Sequence, residues 1–316
     1  MRRDDSGLAG GAREYTGLAL VLALLVGGFS LATEHFFTFT TLRTIANQVP
    51  DVLLVAVGMT FVILGGGIDL SVGSVLALSS AVAGVALIDW EWPLAAALAA
   101  AVGAGAAVGG LNGLLVTRWT LPSFIVTLGT LEIARGAAYL VTDSQTKYIG
   151  GAIEQLNTPV AGGLTAAFLL AVGLVAAGQF VVERTVFGRH LIAVGASERA
   201  AWLAGIDPRP VRLITFVLAG VLSAVAGVAQ SARLAAADPN AGTGLELQAI
   251  AAVVIGGTSL LGGRGSVVTT LFGVLIIAVL GAGLAQMGVG EPMRRLVTGG
   301  VIVAAVVVDY YRNRRS

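Results

Sequence analysis

The 316-residue chain has no cysteine. That excludes disulfides, thiolate nucleophiles and thiolate metal sites. Histidine is nearly absent: His35 and His190 fall in predicted loops, with no carboxylate cluster near either. Metal binding and acid–base chemistry therefore have no footing there. Charge is sparse, with 12% Asp, Glu, Lys and Arg and a net charge of +1. A nucleic-acid interface needs a basic face, and this balance offers none. Lys147 is the only lysine, so arginine carries almost all positive charge. We read this as a compositional bias, not a site. No nucleophile–base pattern appears, and no Gly-Lys-[Ser/Thr] ends a phosphate loop. The chain carries no nucleotide-hydrolysing motif.

What remains is apolar residues (56%) and 44 glycines. Ten apolar runs are long enough, or nearly so, to cross about 30 Å of hydrocarbon. We place helices at roughly 17–33, 45–66, 70–88, 94–116, 122–142, 161–182, 211–232, 246–262, 267–286 and 292–309. In lipid such segments must be helical, because each has to satisfy its own backbone polar groups. The expected fold is an all-α integral membrane protein. Residues 1–16 form a cytoplasmic segment, 17–310 one transmembrane domain, and 311–316 a basic cytoplasmic tail. No small-residue cleavage site follows the first run, about Gly17 to Ala32, which reads as a retained span and not a signal peptide.

Arginines then set the orientation. With the N-terminus inside, inner segments hold Arg2, Arg3, Arg13, Arg118, Arg184, Arg189, Arg199, Arg209, Arg212, Arg264, Arg312, Arg314 and Arg315. Outer segments hold only Arg43, Lys147, Arg233, Arg294 and Arg295. Both termini are therefore expected inside. Trp90 and Trp92 suit an outer aromatic belt better than a solute-stacking role. The longest inner loop is 183–212. The longest outer loops are 143–160 and 233–245.

Four motifs carry what chemistry there is. The first is Gly65-Gly66-Gly67-Ile68-Asp69-Leu70-Ser71-Val72-Gly73-Ser74. Asp69 is a carboxylate between two apolar runs, costly unless it faces a polar pocket or a water-filled path. A broken-helix junction, with Asp69 capping a helix that starts near Leu70, and direct solute contact are both open. The second motif runs from Leu121 to Gly136. Pro122 suits a first helical turn, and Glu132 and Arg135 follow near the bilayer midplane at i,i+3 spacing, which predicts a pair. It is either a buried structural ion pair or part of a solute path. Thr127 and Thr130 line the path or bond to their own helix carbonyls.

The third motif is the inner loop, with Gly188, Arg189, Ala193, Gly195, Glu198, Ala200 and Gly205. Ser197 can cap a short helix that Gly205 ends. Such a knob suits docking to a cytoplasmic partner; lying flat on lipid is the alternative. The fourth runs from Glu246 to Ser266, where Gly256, Gly257, Gly262, Gly263 and Gly265 predict a second tight junction. Gly65–Ser74 and Gly256–Ser266 look alike; an internal repeat and plain glycine richness both account for that. Gly105, Gly109 and Gly113 make a small-residue ridge for packing within or between subunits. Asn112 beside it is expected to be satisfied by a neighbouring helix.

Taken together, these motifs resemble the permease subunit of ribose/xylose-type monosaccharide ABC importers, from about Arg43 to Tyr310. The resemblance implies a type II importer-like bundle in the bacterial inner membrane, two permease subunits, and an extracytoplasmic sugar-binding protein. ATP and Mg would be used by a separate cytoplasmic ATPase docked on Gly188–Gly205. Carried over by resemblance are Gly66, Gly67, Asp69, Ser71, Gly73, Asn112, Pro122, Thr127, Gly129, Arg135 and Gly136. So are Gly256, Gly257, Gly262, Gly263, Arg264 and Gly265. Two positions depart from the pattern: Glu132 replaces an expected small or uncharged residue, and Gln248 an expected aspartate. A nucleoside or branched-chain amino acid importer of the same build is the first alternative. An ion-coupled secondary transporter is the second, with Asp69 and Glu132–Arg135 as its only ion-site candidates.

Overall fold

A computed structural model describes residues 5–313. The chain folds as α1 (Asp5–Ala32), α2 (Phe39–Leu64), α3 (Val72–Ile88), α4 (Leu94–Arg118) and α5 (Ser123–Val141). A small cap follows: β1 (Lys147–Tyr148), α6 (Gly151–Glu154), β2 (Pro159–Ala161) and β3 (Leu164–Thr165). Then come α7 (Ala166–Arg184), α8 (Val186–Ala196), α9 (Glu198–Leu203), α10 (Pro208–Leu234) and β4 (Ala236–Ala237). The chain ends with α11 (Leu245–Ile255), α12 (Val267–Gln286) and α13 (Glu291–Asn313). Among the described residues, seven helices are long and apolar enough to span a membrane: the Tyr15–Ala32 part of α1, α2, α4, α5, α7, α10 and α12. The protein is thus an all-helical, multi-pass membrane protein.

A helix overlaps each expected one: 267–286 is matched by α12 at both ends, and the others are shifted at one end or both. Local chemistry sets the starts. Thr38, Thr165, Thr185, Ser197, Asp207 and Ser266 accept backbone N–H bonds in the first turns of α2, α7, α8, α9, α10 and α12. Gln179 of α7 adds a cap from outside: its Oε1 accepts from Val267 N at 2.8 Å and Val268 N at 3.1 Å. Residues 5–16, expected as a non-spanning segment, continue α1, and α13 runs past residue 310. Residues 1–4 and 314–316, with Arg2, Arg3, Arg314 and Arg315, lie outside the described residues.

The core is built on α2 and α10. From Leu53 to Leu64 every α2 residue is buried, which explains a run apolar on all sides. α10 packs through small residues, where backbones meet. A Cβ on Gly105 or Gly109 of α4 would strike the carbonyl oxygens of Gly220 or Phe216, and one on Gly113 would meet Leu213. On α10 itself, Gly227 abuts the Leu76 carbonyl of α3. The α4 glycine ridge is therefore used inside the subunit. Hydroxyl pairs add polar links between helices: Thr60 with Thr270 at 2.9 Å and Ser80 with Ser231 at 2.6 Å.

Two expectations fail. The helix placed at 246–262 stops at Ile255, because Gly256 and Gly257 turn the chain. The segment read as outer loop 233–245 does not stay at a surface. Its start does: β4 pairs antiparallel with β1. But Gly84 of α3 packs against Ala237, and Gly73 packs against Gly242. Those glycines are eleven residues apart, about 16 Å along the helix. Residues 237–242 therefore descend beside α3, into the depth that α3 spans. The eleven-residue α11 continues from this non-helical stretch.

Candidate functional site

The two glycine junctions share one design. At the end of α2, Gly65, Gly66 and Gly67 donate to Phe61, Ile63 and Val62 at 3.1, 2.9 and 2.9 Å. At the end of α11, Gly256, Gly257 and Thr258 donate to Ala252, Val254 and Val253 at 2.9, 2.8 and 3.1 Å. Gly66 (φ +78°) and Gly257 (φ +83°) take the left-handed position that this cap requires. The motifs also touch. Gly263 N donates to Leu64 O at 3.0 Å, and a Cβ on Gly262 would lie 3.0 Å from Gly66 Cα. A Cβ on Gly195 of α8 would collide with Leu64 O and stand 2.6 Å from Gly263 N. Gly256 is pressed on the Thr269 backbone, and Gly265 on Thr258. Three chain segments thus meet backbone to backbone.

Between α2 and α3 the chain is held by side chains. Asp69 is buried, and its Oδ1 accepts from Ser71 N at 2.9 Å and Ser71 Oγ at 2.6 Å. Asn112 of α4 donates to Ser71 Oγ at 2.9 Å. Asp69 thus fixes the turn before α3. The helix itself begins at Val72, two residues later than expected. From α5, Ser123 Oγ accepts from Ile68 N at 3.0 Å, and Thr127 Oγ1 accepts from Leu70 N at 3.0 Å. Thr127 donates to Ser123 O of its own helix at 2.9 Å, with Ile68 O a second acceptor at 3.2 Å. Thr130 turns back to its own helix, on the carbonyls of Val126 and Thr127.

The expected Glu132–Arg135 ion pair is not formed. Arg135 Nη1 donates instead to Pro239 O at 2.6 Å and Ala241 O at 2.8 Å. These carbonyls belong to the descending segment, where non-helical backbone has no ladder of its own and needs donors from elsewhere. One turn on, Tyr139 OH donates to Asn240 Oδ1 at 2.5 Å. α5 therefore braces both non-helical segments. Asp238, Glu246 and Glu132 stand near enough to act on the Arg135 charge. Glu132 is exposed on the single chain, and no ion pair holds it among the described residues.

The inner loop is mostly helix. Ser197 caps α9, with Ala200 N to Ser197 Oγ at 3.3 Å, and Gly205 follows its end. Gly188 sits tight against the Val181 and Val182 carbonyls, and Ala193 packs on the core. Arg189 and Ala200 are exposed. Along α9, Ala201 is buried, whereas Trp202 and Leu203 are 65% and 71% exposed. They border a groove of about 740 Å³ with Thr117, Glu198, Asp207 and Arg212. Arg212 links this knob to the junction. Its Nη1 pairs with Glu198 Oε2 at 2.8 Å, and its Nε donates to Gly65 O at 3.2 Å.

Two elements escaped the sequence reading. Asp51, buried in α2, pairs with Arg233 at the end of α10 at 2.5 Å; an acid within an apolar run was the signal. The descending segment was the other. Its signal was the shortness of the apolar run after it, ended by paired glycines.

A family model described as "branched-chain amino acid transport system / permease component" matches residues 41–306. The ribose import permease RbsC of Escherichia coli K12 is 38% identical over 301 residues, covering 92% of each chain. RbsC of Bacillus subtilis 168 is 40% identical over 309 residues, covering 95% of this chain and 94% of its own. The fructose import permease FrcC of Rhizobium meliloti is 36% identical over 307 residues, covering 93% and 84%. No solved structure matches the chain. With most of its length matched by the family model and by these relatives, the chain belongs to this family of transport-system permease components.

Proposed function

We propose that the chain is the membrane subunit of an ATP-driven importer that moves a monosaccharide into the cytoplasm. The observation that carries this reading is similarity along nine-tenths of the chain to ribose permeases. In this reading the bundle lies in the bacterial inner membrane with both termini inside. It makes ten crossings, the ninth being residues 237–244 with α11. Two permease subunits form the path, and an extracytoplasmic binding protein delivers the sugar. A cytoplasmic ATPase, with its ATP and Mg, docks on α8 and α9.

The geometry gives the docking knob a mechanical route. Push on α9 moves Glu198, and Arg212 carries that motion to Gly65. Gly195 presses on Leu64 and Gly263 at the same point. Both helix junctions then shift together, as bistable contacts do in packed cores.

The test is reconstitution of the chain with its ATPase and binding protein in liposomes. ATP-dependent uptake of ribose, allose, fructose or arabinose is expected. Uptake of leucine but of no sugar would favour the amino-acid reading that the family description prints. Uptake without ATP, abolished by an ionophore, would overturn the importer.

A further inference from the structure

Glu132 is the tenth of the nineteen residues of α5. It therefore stands at the middle of a helix of membrane-spanning length. It is also central around the helix. Ile125, Leu128, Gly129 and Gly136 fall within about 60° of it at 100° per residue, and all are exposed on the single chain. The opposite side, with Val126, Thr127, Thr130, Ala134 and Ala138, is buried. A carboxylate at this depth does not face lipid; such groups face protein or a water-filled cavity. Around Gly129 and Gly136 this face is open among the described residues: a Cβ on either would meet no atom within 4 Å. If a second copy packed its own Glu132 directly against this one, two like charges would meet in a poorly solvated place. A gap holding water and solute between the copies avoids that.

The same side carries polar groups from the descending segment. Tyr139, two turns from Glu132, holds Asn240, and both Asn240 and Thr243 are exposed. We propose that Glu132, Tyr139 and Asn240 form a solute-recognising wall that runs from the middle of α5 towards its Val141 end, with Glu132 accepting hydrogen bonds from the hydroxyls of the passing sugar. This deepens the importer reading and rests on it. Arg135 is then a positioning residue. By bonding Pro239 O and Ala241 O it aims Asn240 at the path.

Two measurements test this on the intact complex in liposomes. The chain lacks native cysteine, so Glu132→Cys and Asn240→Cys are probed with a charged, membrane-impermeant maleimide. Gly129→Cys is a stand-in if the first variant fails to assemble, and Leu24→Cys, on an exposed face of α1, is the lipid control. Labelling at 132 and 240, slowed by transported sugar and absent at 24, is expected. The second measurement compares uptake of ribose, allose, fructose and arabinose by wild type and by Glu132→Gln, at saturating loaded binding protein. Maximal rates should fall unequally, changing rate ratios by about 2- to 10-fold, the worth of one or two hydrogen bonds. Half-saturation by the binding protein should stay as in wild type. An unreactive residue 132 in assembled complex, or unchanged ratios in Glu132→Gln, overturns the wall. A wild-type complex that moves none of the four sugars, together with a Glu132→Cys variant that labels, overturns the importer reading and not the aqueous face.

Discussion

Asp51 and Arg233 make a largely buried charge contact. The Asp51 side chain is 6% exposed and that of Arg233 27%. Removing one partner of a buried pair costs more than removing both, because the survivor keeps its desolvation penalty. Asp51→Asn should destabilise the detergent-solubilised protein by about 3 kcal/mol, the low end for buried pairs because Arg233 is partly solvated. Asp51→Asn with Arg233→Gln should recover part of that in thermal unfolding followed by tryptophan fluorescence. A double variant no more stable than the single would show that the charges are not coupled. Thr127 acts on a smaller scale. Thr127→Val keeps the shape but strips the acceptor from Leu70 N, and should cost about 1–3 kcal/mol in the same assay. At this scale the sequence was readable where partners are local. The Asp69–Ser71 turn follows from a short acid two residues from a hydroxyl. Arg135 was not readable. Its partners are carbonyls more than a hundred residues away, and the i,i+3 acid beside it is a plausible but wrong mate.

At the scale of elements, the junctions explain the glycines. Where two backbones touch, a methyl group has no room, and the positions differ sharply in this respect. Gly195→Ala would drive a carbon into Leu64 O and against Gly263 N. Gly129→Ala would meet nothing within 4 Å on an α5 of ordinary helical conformation. The first should abolish sugar-stimulated ATPase activity in the assembled complex or prevent assembly altogether. The second should leave assembly and thermal stability within about 0.5 kcal/mol of wild type, as for a substitution with free space. Equal behaviour of the two variants would refute the three-way contact. Glycine richness in the sequence pointed to both junctions, and their matching hydrogen-bond pattern makes the likeness of Gly65–Ser74 and Gly256–Ser266 a structural one. The end of α11 was misplaced because Gly256–Gly262 sits within an apolar run. Hydropathy does not register a turn made of residues that are apolar in either conformation.

For the whole molecule, sidedness is the open physical question, and the fold sharpens it. The contacts of α8 with Gly65 and Gly263, and of Arg212 of α10 with Gly65 and with Glu198 of α9, gather Arg118, Arg184, Arg189, Arg199, Arg209, Arg212 and Arg264 at one end of the bundle. The other end carries Trp90, Trp92 and Lys147, and there Lys147 is paired with Asp89 at 2.8 Å. A membrane inserts the arginine-rich end on the cytoplasmic side. Ser197→Cys, at the arginine-rich end, should therefore label with an impermeant maleimide only after permeabilisation. Gln145→Cys, near β1 at the other end, should label in intact cells. Asn240→Cys would have served as a second outer marker had residues 233–245 stayed at the surface. Because that segment descends beside α3, label at 240 reports on entry into the path: it should appear from outside, yet more slowly than at 145, and slow further with transported sugar. If residue 197 labels in intact cells, the bundle is inverted. The α8–α9 knob then faces away from any cytoplasmic ATPase, and the importer mechanism loses its drive.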